Sequence, residues 1–202
     1  MCTANQCRSP MAEGLLRRLF RNAGLGVVVR SAGLMRGGMP ATPDAVATMA
    51  DRGVDISAHR SRQIDADLAR TTPLIVGMTR HHVREACATY GAPVGRTFTL
   101  KELVRRGEQA GGRVAGERLP AWLARIGVGR RPSDLIGDDP ADDVEDPIGR
   151  PRAEYEATAD ELEDLLGRLF ALLAGGGTAG GPVAYADPTC ASPSVQTTPG
   201  SS

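Results

Sequence analysis

The sequence predicts an α/β protein. Short runs at 27–31, 73–78 and 95–100 are rich in β-branched or apolar residues and read as strands. Segments with apolar residues at helical spacing lie before, between and after them. The chain then carries one long apolar stripe from Pro151 to Ala174. Strands that alternate with helices in this way build a parallel sheet covered by helices.

The first helix begins near Pro10, a residue suited to a first helical position because its missing N–H would have no partner there. Met11, Leu15, Leu16, Leu19 and Phe20 fall on one face, and Gly24-Leu25-Gly26 ends the helix. Val27-Val28-Val29-Arg30-Ser31 is the first strand read from the chain. A Gly/Pro-rich connection leads to a helix from Pro43 to Arg52, stopped by Gly53. A short helix is expected over Asp65–Arg70, and the apolar run Pro73–Met78 suits a strand buried on both faces. Thr79 caps a helix over Arg80–Thr89. Gly95–Leu100 is the last strand, followed by a helix through Arg105, a Gly-rich loop from Gly107 to Val114 and a short helix over Pro120–Ile126. Leu162, Leu165, Leu166, Leu169, Phe170 and Leu173 give the last helix its buried side. Residues 1–174 read as one domain, and residues 175–202, dominated by Gly, Pro, Ser and Thr, as a disordered tail.

Lysine plus arginine equals aspartate plus glutamate at 24 each in the 202-residue chain, which gives no reason to expect nucleic acid or a membrane surface as partner. No apolar run is long enough for a bilayer and no signal peptide is read at the start. Cys2, Cys7, Cys87 and Cys190 do not form a secreted disulfide framework or a metal-ligand spacing. A reduced, cytoplasmic protein is the expectation.

Chemistry concentrates in Cys2-Thr3-Ala4-Asn5-Gln6-Cys7-Arg8-Ser9-Pro10. A tight loop that runs into a helix N-terminus points its amide N–H groups inward and adds the helix dipole, so it holds an anion. The same field favours a thiolate over a thiol. Arg8 offers a planar fork that matches two phosphate oxygens, and Ser9 can donate its hydroxyl to the sulfur. The result is a nucleophile aimed at a bound oxyanion. Cys7, a neighbouring thiol, could form a disulfide with an oxidised Cys2.

This loop resembles that of the low-molecular-weight protein tyrosine phosphatases: a cysteine, five residues, then Arg-Ser-Pro, with Asn5 and Cys7 also in family positions. Ser31-Ala32-Gly33 and Asp146-Pro147, the latter just before the long terminal helix, match two further family patterns. Pro147 restricts the preceding residue to extended backbone, which helps aim the Asp146 carboxylate. The resemblance implies a three-layer α/β sandwich with a four-stranded parallel sheet flanked by helices. The family's first, central strand precedes the loop, and only Met1 stands before Cys2, so the strand is expected to be missing from the chain as given, with a true start upstream preferred over a version that lacks its central strand. The resemblance further implies Cys2 as nucleophile, Arg8 as phosphate clamp, Asp146 as general acid, the loop Thr3, Ala4, Asn5, Gln6, Cys7 and Arg8 around the phosphate, and Ser9 and Ser31 in support. No metal or cofactor is implied. The expected substrate is a phosphorylated protein, above all phosphotyrosine, or a small phosphomonoester; the oligomeric state is left open. Ala4 stands where the family has glycine, from which strain in the turn is expected, and Ile148 stands where an aromatic ring is common. Phosphoarginine hydrolysis, thiol-coupled arsenate reduction and a non-catalytic phosphate-binding module stay as alternatives. His59 reads as structural, and His81 and His82, adjacent on a helix, point in different directions.

Overall fold

The computed structural model describes residues 1–175. The predicted tail and Cys190 lie outside the described residues. In chain order the elements are α1 (Arg8–Asn22), α2 (Pro43–Asp51), α3 (Ala66–Thr71), β1 (Ile75–Gly77), α4 (Arg80–Ala88), β2 (Thr97–Thr99), α5 (Leu100–Ala110), α6 (Leu119–Ile126) and α7 (Arg152–Ala174). Four helices start on side-chain caps that sequence chemistry favours: Thr42 for α2, Asp65 for α3, Thr79 for α4 and Thr99 for α5.

Among the described residues the regular sheet is two parallel strands, with Ile75, Val76 and Gly77 opposite Thr97, Phe98 and Thr99. This corrects the expected four-stranded sheet. The further positions appear only as single parallel bridges, Cys2 with Gly33 and Gly33 with Gln63. On the other side Met1 N donates to Val76 O, and Met1 O accepts from Met78 N at 2.9 Å. Met1 and Cys2 therefore lie between β1 and the Ala32-Gly33 segment, where the central strand was expected.

The strand expected over 27–31 does not form. Val27 is 50% exposed and Val28 71% exposed. The physical reason is pairing: contact with the sheet starts only where Cys2 N donates to Ala32 O at 3.3 Å. The valine run, lacking a neighbour one strand over, is held to α1 through Arg17 Nε and Val29 O at 2.9 Å. β-branched composition favours a strand only where there is another strand to pair with.

Alternation along the strands divides the core in two. Val76 and Phe98, opposite each other, face the larger apolar cluster, which joins Met11 and Leu15 of α1, Met49 of α2, Leu103 of α5, Trp122 of α6 and Leu162 of α7. Ile75 faces the smaller cluster with Ala32, Ile64, Ala69 and Ala86. Helices α1, α2 and α5 all pack on α7. The α5 helix runs to Ala110, into the segment expected to be loop. Gly107 does not break it, because its bare backbone fits against Leu172 and Trp122; an added Cβ would lie 2.7 Å from Leu172 Cδ1.

One ion network fixes the outer side of β2. Arg130 is buried, stacks 4.2 Å over Phe98, and donates through Nε to Glu102 Oε1 at 2.7 Å and through Nη2 to Thr97 O at 2.6 Å. Arg106 shares the same carboxylate at 2.9 Å. Removing one partner of such a pair leaves a charge without solvent or counter-charge. Glu102→Ala is expected to lower stability by about 3 kcal/mol; urea unfolding of the two proteins checks it.

Candidate active site

The segment from Cys2 to Arg8 wraps into a loop whose last residue begins α1. Cys7 occupies the N-cap position without a side-chain hydrogen bond to the helix, so the first-turn amides of α1 stay available to an anion. Cys2 is buried, and its Sγ lies 3.0 Å from Ser9 Oγ. Ser9 Oγ also accepts from Asn5 Nδ2 at 2.8 Å, which leaves the Ser9 proton for the sulfur.

Asn5 organises the loop. It has φ +55, the one positive φ among the described non-glycine residues, a region that asparagine tolerates better than most residues. Fully buried, it donates through Nδ2 to both Ser9 Oγ and Ser31 Oγ at 2.8 Å. Its Oδ1 accepts from Arg62 N and its backbone O meets His59 Nε2, each at 2.8 Å. Ala4 does not carry the left-handed turn, so the strain expected there is absent; Asn5 carries it instead. Ser31 is in turn anchored by Glu13, which accepts from its Oγ at 2.5 Å and its N at 2.9 Å. Sequence reasoning missed Glu13. Its signal was only an acidic residue one turn beyond the loop's serine.

Thr3 is held from two sides. Its carbonyl accepts from Leu34 N at 2.8 Å and Met35 N at 3.0 Å. Its hydroxyl lies 3.0 Å from His82 Nε2, and His82 Nδ1 lies 2.7 Å from Thr79 Oγ1. His82 is buried, and burial, with nearby positive charge adding to it, pulls its pKa down to about 2. Sequence reasoning gave His82 no partner, and the structure sets its ring 5.7 Å from that of His81. Gln6 O accepts from Thr42 N at 2.8 Å. Cys7 is fully buried beside Met11 Sδ at 3.8 Å, and burial pushes its thiol up to about 12. A thiol held protonated is a poor nucleophile.

Arg8 and Asp146 are brought together from positions far apart in the chain. Arg8 is buried and donates from Nη1 to Val144 O at 2.7 Å and from Nη2 to Asp146 Oδ2 at 2.5 Å. The Asp146 side chain is 40% exposed, at the open side of the pair. Its other oxygen accepts from Ile148 N at 3.2 Å, closing the turn around Pro147. Ile148 is exposed.

The approach to Asp146 is a strap tied to α4. Arg80 N donates to Asp143 Oδ1 at 2.7 Å, Arg80 Nε to Asp142 Oδ2 at 2.7 Å, and Arg80 Nη2 to Asp139 Oδ2 at 2.9 Å. Arg105 reaches Asp142 Oδ1 at 2.7 Å. Burial raises the Asp142 pKa, but the hydrogen bonds from Arg105 and Arg80 prevail and hold it below the usual carboxylate range. Val144 N then donates to Met78 O at 2.8 Å, setting the strap against the end of β1. Between the loop and α4 lies an open cleft of about 380 Å³, lined by Thr3, Arg8, His81, His82, Arg84 and Asp143 among others. Among the described residues no helix is long and apolar enough to cross a membrane.

Asn5→Ala would lose three side-chain hydrogen bonds and place alanine at a positive φ. It is expected to destabilise the fold by about 2–3 kcal/mol and to weaken phosphate binding, read by urea unfolding and calorimetric titration. His82 has a folded pKa below its unfolded value, so its contribution to stability is present above pH 6.5 and is lost as pH falls toward 2. Unfolding measured as a function of pH is expected to show a loss below pH 6.5 that His82→Gln lacks.

Comparison with known proteins places the chain in a family. Residues 1–115 match the family model described as Low molecular weight phosphotyrosine protein phosphatase. That match ends before Asp146. The chain is 41% identical over 104 residues to the Ralstonia solanacearum protein named Probable low molecular weight protein-tyrosine-phosphatase EpsP, covering 51% of this chain and 69% of the relative. It is 31% identical over 170 residues to the protein-arginine-phosphatase of Bacillus subtilis, covering 84% of this chain and 91% of the relative. The crystal structure of a low molecular weight protein tyrosine phosphatase from T. tengcongensis superposes with a TM-score of 0.64 at 30% identity, over 85% of this chain and 95% of that one.

Proposed function

The chain belongs to the low molecular weight phosphotyrosine protein phosphatase family, and from that premise we propose that it hydrolyses phosphorylated protein side chains, phosphotyrosine first among them, through a phosphocysteine intermediate. The observation that carries the reading is the joint placement of Cys2, Arg8 and Asp146: a buried sulfur 3.0 Å from the Ser9 hydroxyl, at the start of a loop whose arginine lies 2.5 Å from a half-exposed carboxylate.

The Cys2 thiolate attacks phosphorus opposite the leaving oxygen. The S–P bond forms as the O–P bond breaks. Arg8 and the amides of Thr3, Ala4, Asn5, Gln6 and Cys7 hold the charge that spreads over the equatorial oxygens, usually the largest catalytic contribution. The Ser9 hydroxyl stabilises the thiolate before attack and again when it leaves. Asp146 gives its proton to the departing oxygen. Water then attacks the phosphocysteine, and Asp146 takes the water's proton, returning thiolate and free phosphate. Cys7, with its thiol pushed up to about 12, takes no part in the attack. The unit that performs this is residues 1–174.

A second substrate reading is phosphoarginine. The Bacillus subtilis protein-arginine-phosphatase aligns along 84% of this chain at 31% identity, as fully as the T. tengcongensis tyrosine phosphatase does at 85% and 30%. Ile148 in place of an aromatic ring, and Asp143 in the wall of the cleft, also suit a cationic leaving group.

Hydrolysis of p-nitrophenyl phosphate tests the reaction. Cys2→Ser is expected to abolish turnover and Asp146→Ala to slow it about 100-fold; either variant at the unmutated rate defeats the assignment. Parallel kcat/KM values on a phosphotyrosine peptide and a phosphoarginine peptide rank the two substrates.

A further inference from the structure

His82 lies beside the phosphate loop, and the mechanism does not use it. Its ring joins two threonine hydroxyls: Thr79, at the cap of α4, and Thr3, the residue after the nucleophile. The imidazole tautomer sets the direction of both hydrogen bonds. Thr79 Oγ1 accepts the backbone N–H of His82 at 3.4 Å in capping α4. With its single proton on His82 Nδ1, 2.7 Å away, the run of bonds points in one direction. A neutral imidazole carries one N–H, so with Nδ1 accepting, Nε2 carries the proton and donates it to Thr3 Oγ1 at 3.0 Å. Thr3 therefore spends a lone pair on His82 and keeps its own proton. Thr3 is exposed, and it lines the cleft together with Arg8.

From this chain of bonds, and resting on the phosphatase reading, we infer that His82 is a positioning residue that turns the Thr3 hydroxyl proton into the cleft, where it donates to the bridging oxygen of a bound phosphoester. The inference names the substrate class: a leaving group joined through oxygen, whose bridging atom gains negative charge as its bond to phosphorus breaks. The opposite tautomer would consume the Thr3 proton on the ring and leave the cleft wall without this donor.

The test combines spectroscopy and kinetics on the full chain. Two-bond proton–nitrogen correlation spectra are expected to show His82 protonated at Nε2; protonation at Nδ1 overturns the inference. With p-nitrophenyl phosphate, Thr3→Val is expected to lower kcat/KM about 10-fold through loss of one hydrogen bond in the transition state. Thr3→Ser, which keeps the hydroxyl, stays within about twofold of the unmutated protein. His82→Phe lowers kcat/KM to a similar degree, and Thr3→Val adds little to it, because both changes remove the same contact. An unimpaired Thr3→Val, an equal loss in Thr3→Ser, or losses that multiply in the double variant each overturn it. If His82→Phe does not fold, the Thr3 pair and the tautomer still decide. An unmutated chain with no turnover would bring down the phosphatase reading itself, and the tautomer would then decide the hydrogen-bond chain alone.

Discussion

The site depends on the side-chain amide of Asn5. One buried group donates to Ser9 and Ser31 and accepts from Arg62 N, while the backbone around it takes a conformation with φ +55. Three segments of the chain are thereby joined: the start of α1, the end of the valine run, and the stretch before α3. A buried amide satisfied at both ends is worth far more than its net bond energies suggest, because any alternative leaves polar atoms unpaired in the interior. Ser9 is oriented by that same amide, so the proton offered to Cys2 Sγ is set three and four hydrogen bonds away from the sulfur, at Ser31 and Glu13.

Close approach of backbone to backbone completes the arrangement. A Cβ on Gly33 would stand 2.7 Å from Thr3 O and 2.8 Å from Asn5 N. Only glycine lets the segment after Ser31 lie against the loop at this distance. The Ser-Ala-Gly pattern visible in the sequence thus has two physical causes: the serine completes the Asn5 network, and the glycine leaves room for it.

Much of this was legible in the sequence because it is local. The Cys2–Pro10 loop, the cap Thr79 and the stripe of α7 are written in spacings of a few residues. Arg8 and Asp146 could be paired only through resemblance, since no local pattern says that residues 138 positions apart will meet. The failures are non-local. Val27-Val28-Val29 has strand composition, but a strand exists only with a partner, and the pairing positions beside it begin at Cys2. Gly107 looked like a loop because its helical role, making room for Leu172 and Trp122, is visible only once α7 and α6 are packed against it. The His82 link to Thr3 spans 79 positions and leaves no local trace.

The arginine lattice around Arg80 has one further effect. The segment from Gly111 to Arg131 intervenes between α5 and the strap, yet the strap takes its bearings from α4, through Arg80, and from Met78, not from that segment. The Asp146 carboxylate is thereby insulated from its own upstream chain. Within that stretch Trp122 fills the core and Arg130 holds the buried pair with Glu102, so only the exposed positions around them can vary and reshape the outer surface while the carboxyl group keeps its place.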